Sequence, residues 1–193
     1  PYTLLQTKDL IGRQKELDTL TQWATQSDAA VFNFVVAIGG MGKSALTWKW
    51  FNDIAPDVRP DLAGRMWWSF YESDASFENF IIRSLAYVSR RPREEIEELS
   101  PSDREAQLLA ILDKEPFLLV WDGFERTMVA YARMDAARLT NDDLDEKTAN
   151  FMVGTMGLPA SAAQSFTGKH QLRKTTDPRI GAFLRKRIQV RKS

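Results

Sequence analysis

Lys43 and Ser44, preceded by Gly39, Gly40 and Gly42, are the residues whose types and spacing carry the most pointed chemistry. In "AIGGMGKSA" the glycines free the backbone so that successive N–H groups can converge on one anion. Lys43 supplies a point charge for β/γ-phosphates, and the Ser44 hydroxyl is a ligand for Mg²⁺. Met41 and Ala45 fall inside the same cradle. The pattern of Gly, four residues, then Gly-Lys-Ser/Thr describes a phosphate-binding loop, and this chain departs from it only at the first glycine, where Ala37 stands. The competing reading is a glycine-rich turn with an incidental Lys-Ser. A strand before the loop and a helix after it favour the phosphate reading.

Metal-dependent chemistry on a bound phosphate also needs a carboxylate on a neighbouring strand. "FLLVWDGFE" supplies one: Asp122 ends an apolar run, in place to hold Mg²⁺ together with Ser44. Glu125, three residues on, is placed to orient or deprotonate an attacking water. The plainer alternative is an Asp-Gly turn followed by a solvated charge. Other residues invite plainer readings. His170 sits in the polar stretch "TGKHQLRK", where no partner residue can be named for it. Trp67, Trp68, Phe70 and Tyr71 could stack a base, but an aromatic strand reads first as core. "REEIEEL" reads as a solvated helix face.

These groups need elements to hold them. "LIGRQKELDTLTQWATQ" turns at Gly12 and then places Leu17, Leu20 and Trp23 at helical spacing. "AAVFNFVVAI" reads as a buried strand, and "KSALTWKWFNDIA" as a helix that stops before Pro56. "GRMWWSFYES" is a second strand. "SFENFIIRSLAYVSR" is a helix with Ser76 as N-cap and Phe77, Phe80, Ile81 and Leu85 on one stripe. After a break at Ser100-Pro101, Ser102 begins a helix through Leu112, and "PFLLVWDGFE" is the third strand. "RTMVAYARMDAARL" has helical character, residues 141–171 read as an irregular insertion, and "DPRIGAFLRKRIQV" restores a helical stripe through Ile180, Phe183, Leu184 and Ile188. The alternation predicts an α/β protein with a parallel sheet and helical crossovers, its ligand beyond the carboxyl ends of the strands.

The 193 residues balance 26 Lys or Arg against 26 Asp or Glu, so net charge argues for neither nucleic acid nor membrane as partner. The charge is nevertheless uneven: from Phe151 onward nine basic residues face one acid, giving +8 there and −8 over the first 150 residues. The basic end could meet nucleic acid electrostatically, but packing against the acidic part of the chain or a neighbouring subunit is the favoured reading. The absence of cysteine excludes disulfides and thiolate metal sites and fits a cytoplasmic protein. No apolar run reaches the roughly 20 residues of a membrane helix. A chain that starts at Pro1 and ends on the basic "RIQVRKS" is expected to be a fragment of a larger protein.

Taken together, these segments resemble the STAND class of P-loop NTPases, which includes the NACHT and NB-ARC switch domains. "AIGGMGKS" is similar to their phosphate loop, and "LLVWDGFE" to the NACHT-type acidic motif. "LIGRQKELDTL" is similar to the segment in which Gly12 and Arg13 would pack beside the adenine, while "RMWWSFYESDASFENFI" and "DPRIGAFLRKRI" look like further STAND segments in the expected order. The resemblance implies a three-layer P-loop fold, a central, mostly parallel sheet flanked by helices. Residues 1–30 would form its N-terminal segment and helix, 31–125 the core, and 126–193 an insertion plus a basic helical part of the same domain. It implies ATP or ADP with Mg²⁺ as ligands and Lys43, Asp122 and Glu125 as the catalytic set. Exchange of nucleotide, triggered by a sensor domain, would allow self-association and activate an attached effector, both domains lying outside this chain. The alternatives are a structural nucleotide-binding module with vestigial hydrolysis and a nucleic-acid-stimulated ATPase.

Overall fold

The computed structural model describes residues 12–26, 35–36, 40–128 and 174–190. Ala37, Gly39, His170, segment 141–171, nearly all of the expected first strand and most of the helix expected after Glu125 lie outside the described residues, as does the Ile188 side chain.

Helix α1 spans Gln14–Thr25 and buries Leu17 and Leu20. Helix α2, Lys43–Lys49, runs on through a π-helical turn at Trp50–Ile54 into a last short helix α3, Ala55–Val58. The helical path therefore passes Pro56, where the sequence reading stops it. A proline in a regular α-helix lacks the N–H and clashes with the carbonyl four residues back. The wider turn just upstream dissolves that regular pairing, so Pro56 opens the final helix instead of ending the path.

Strand β1, Gly64–Ser69, pairs in parallel with β2, Phe117–Asp122, in the register Gly64↔Phe117 through Ser69↔Asp122. The crossover consists of α4 (Phe77–Ser89), α5 (Arg93–Glu97) and α6 (Pro101–Lys114). Ser76 caps α4 as expected, accepting from Asn79 N at 3.1 Å. Helix α6 begins at Pro101 rather than Ser102, because Ser100 is its cap and accepts from Asp103 N at 3.2 Å. Proline suits that first position, where its missing N–H would have had no helical partner. A 3₁₀ turn, Phe124–Thr127, follows β2, and α7 spans Pro178–Val190. The described residues thus form a mixed α/β protein whose sheet has two parallel strands. Among them, no helix is long and apolar enough to cross a membrane.

The pleat of β2 sends alternate side chains to two apolar clusters. Phe117, Leu119 and Trp121 pack on the cluster of α4, α6 and α7, around Phe77, Phe80, Leu85, Leu108 and Phe183. Leu118 packs with Val35 on the other, formed by Leu17, Leu20, Leu46, Trp50 and Ala55. In β1, Trp68 is buried in the first cluster, whereas Trp67 meets Trp48 edge-on at 5.1 Å on the opposite side. Ile96 is fully buried and Leu99 packs partly buried against the same core, so "REEIEEL" is a solvated face with two apolar anchors.

Helix α7 is held by charge as well as by Ile180 and Phe183. Glu78 of α4 accepts from Arg104 of α6 and, at 2.6 Å, from Arg179 of α7, and Arg187 pairs with Asp113. Two arginines of the basic segment thereby answer acids in the first 150 residues. Burial pushes the Glu78 carboxyl up, but the bonds from Arg179 and Arg104 outweigh it and hold the group below the ordinary glutamate range. Stability from a depressed carboxylate is present above the unfolded-state value and lost as pH falls through the folded-state one. Between about pH 5 and about pH 3 the wild-type melting temperature should therefore fall more steeply than that of Glu78→Gln, read by circular dichroism. Equal slopes would place the acid-labile contacts elsewhere.

Candidate functional site

The site is assembled where the glycine loop meets the carboxyl end of β2. Gly42 has φ 76°, a left-handed value that glycine adopts without strain, and its carbonyl accepts from Leu46 N at 2.9 Å to start α2. Lys43 and Ser44 therefore leave the loop in the first turn of a helix anchored by buried Leu46 and Trp50, and Ala45 follows, partly buried. Arg13, just before α1, donates from Nη1 to the carbonyl of Met41 at 3.0 Å while its Nε pairs with Glu16 at 2.8 Å. The Gly12–Arg13 turn is thus stitched to the loop.

Ser44 and Asp122, 78 residues apart in sequence, are joined directly: the Ser44 hydroxyl donates to Asp122 Oδ1 at 2.6 Å. The second carboxylate oxygen, Oδ2, is buried with no hydrogen-bond partner among the described residues. Burial raises the pKa of Asp122; the Ser44 bond opposes this in part, and the nearby Glu125 charge adds to it. A half-buried carboxylate with one buried, unsatisfied oxygen is a costly arrangement, and such an oxygen calls for a cation or donor. Lys43, Asp122 and Glu125 line one cavity with Thr47, Trp67 and Trp121.

The turn after β2 adds a second constellation. Gly123 has φ 70°, and a Cβ there would stand 2.6 Å from the Tyr71 ring. The Tyr71 hydroxyl donates to Glu125 Oε1 at 2.5 Å, and the Arg126 guanidinium lies over the same ring at 4.9 Å. Tyr71 is 46% exposed, so its assignment to the core is corrected, whereas Trp68 and Phe70 are buried. The strand ends at Ser69, and Tyr71 lies past it, on the loop side where ligands of parallel sheets bind. Neither Tyr71 nor Arg126 is picked out by motif; their nearness to "WDGFE" at the strand ends is the signal that could have found them.

Ser44 and Asp122 fit an Mg²⁺ ion on the chemistry of their oxygens. With its proton given to Asp122, the Ser44 oxygen keeps acceptor lone pairs, and Asp122 Oδ2 is an unsatisfied hard anion. Among the described residues there is no group of three or more His, Asp or Glu that could cage a metal. Mg²⁺ at a phosphate site needs none, because it is held by one or two protein groups plus phosphate and water. What the described residues define is a mixed α/β protein with a glycine loop, a lysine and a serine–carboxylate pair at the strand ends. Compared with protein-family models, curated proteins and solved structures, the chain matches none.

Proposed function

We propose that this chain is the nucleotide-binding core of a STAND-type P-loop NTPase, taking ATP or ADP with Mg²⁺. The observation that carries the reading is the Ser44–Asp122 hydrogen bond, which joins the end of the glycine loop to the end of the acidic strand. The sides of the sheet support the finer, three-layer architecture: Val35 and Leu118 pack on the α1–α2 cluster while alternate residues of β2 pack on α4, α6 and α7.

In this reading the loop amides around Met41 and the Lys43 ammonium close over the polyphosphate, and Arg13 holds the loop from behind through the Met41 carbonyl. Ser44 and Asp122 would hold Mg²⁺, which would supply charge neutralisation for the bound phosphates. Glu125 accepts a proton from water as the water oxygen bonds to the γ-phosphorus; the bond to the bridging oxygen breaks and ADP leaves. Nucleotide state then biases self-association and the output of attached domains by population shift.

Calorimetric titration with ATP and ADP, with and without Mg²⁺, tests the reading. Wild type should bind both nucleotides, with Mg²⁺ strengthening ATP binding, and Asp122→Asn should lose that Mg²⁺ dependence. The variant should also be more stable without ligand. A carboxyl with a raised pKa disfavours its charged form in the fold, so its penalty is fully present at neutral pH and is removed by the amide. The melting temperature should rise by about 2–4 °C per kcal/mol relieved. Absence of binding heat from wild type overturns the reading.

A further inference from the structure

We propose that Tyr71 is a positioning residue for Glu125, fixing the carboxylate at the mouth of the phosphate site so that one oxygen faces the attacking water. The inference deepens the hydrolytic reading and rests on it. Its basis is a set of contacts that pin an otherwise exposed side chain. Phe70 N donates to the carbonyl of Asp122 at 2.8 Å, which locks the exit of β1 onto the end of β2. Tyr71 N then donates to Ser69 Oγ at 3.3 Å. The ring lies over Gly123, where any side chain would collide with it, and the Arg126 guanidinium covers the ring while donating to the Tyr71 carbonyl at 3.4 Å.

The phenol is thus fixed before it reaches Glu125. Its O–H meets Oε1 at 2.5 Å, the short geometry of a hydrogen bond to an ionised acceptor. With Oε1 engaged by the phenol, Oε2 is the oxygen turned to the water proton in this proposal. Without the hydroxyl, Glu125 is a long side chain on a 3₁₀ turn that must be ordered in each catalytic cycle. Gly123 is then explained twice: its left-handed φ turns the chain after Asp122, and its missing side chain admits the ring.

The test compares Tyr71→Phe, Glu125→Gln and the double variant with wild type in steady-state MgATP hydrolysis and in calorimetric ATP binding. Tyr71→Phe keeps the ring against Gly123 and Arg126, so melting temperature and ATP Kd should match wild type. Its kcat should fall about tenfold, the effect of losing one hydrogen bond to a charged group, with KM unchanged. The double variant should be no slower than Glu125→Gln alone, since the hydroxyl acts through that carboxylate. Wild-type turnover by Tyr71→Phe overturns the proposal, as does a double variant slowed by the product of the two single effects. A wild-type chain that binds ATP without hydrolysing it overturns the proposal and leaves nucleotide binding standing. A chain that binds no nucleotide overturns both.

Discussion

Alanine at Lys43 is expected to weaken MgATP binding by about 100-fold or more, the cost of losing charge-assisted bonds to phosphate. Lys43 opens α2 directly after the left-handed Gly42, so the loop sets where its backbone leaves for the helix. The helix is anchored by Leu46 and Trp50, both nearly fully buried, and those contacts survive the substitution. The melting temperature without ligand should therefore stay close to wild type while the calorimetric heat vanishes. Lys43→Arg is expected to restore charge without full affinity, because a planar guanidinium does not replace a compact ammonium against a phosphate cradle. Unchanged ATP affinity in Lys43→Ala would remove the nucleotide reading and leave an α/β protein with an unexplained serine–carboxylate pair.

Phe80→Ala should cost about 3–5 kcal/mol of stability, the usual range for deleting a fully buried aromatic ring. Phe80 is completely buried, and its ring lies 4.8 Å from Trp121, 5.8 Å from both Trp68 and Phe77, and 6.2 Å from Phe183. It therefore joins both strands to α4 and α7. Against a typical total stability of about 5–15 kcal/mol, this single change leaves little margin. Urea unfolding followed by tryptophan fluorescence measures it, and the midpoint should shift with little change in slope. Because Trp121 precedes Asp122, the cavity also loosens the strand end that carries the site, so residual folded protein should bind ATP more weakly. A loss below 1 kcal/mol would mean that the aromatic cluster repacks.

Local patterns in this chain are short-range statements, and they read well where neighbours in sequence decide the outcome. The α4 cap at Ser76, the stripe of Phe77, Phe80, Ile81 and Leu85, and the apolar run ending at Asp122 all follow from residue type and spacing. Pro56 reads as a stop because an α-helix cannot absorb it, and the π turn that admits it carries no residue signature of its own.

What needed the tertiary structure are the pairings made across long stretches of chain. The Ser44–Asp122 bond spans 78 residues, Tyr71–Glu125 spans 54, and Arg179–Glu78 spans 101. The sequence by itself settled the types of the residues and much of the order of helices and strands from α1 to β2, since backbone propensity, capping and apolar period act within a few residues. The fold alone decided that Tyr71 leaves the core to hold a carboxylate, that Asp122 keeps one buried oxygen without a partner among the described residues, and that Arg179 and Arg187 pair with acids of α4 and α6. Each of these depends on the parallel register of β1 on β2 and on the docking of α7. That register and that docking are fixed by burial of side chains from segments as far apart as Met66 and Leu184, which no local window contains.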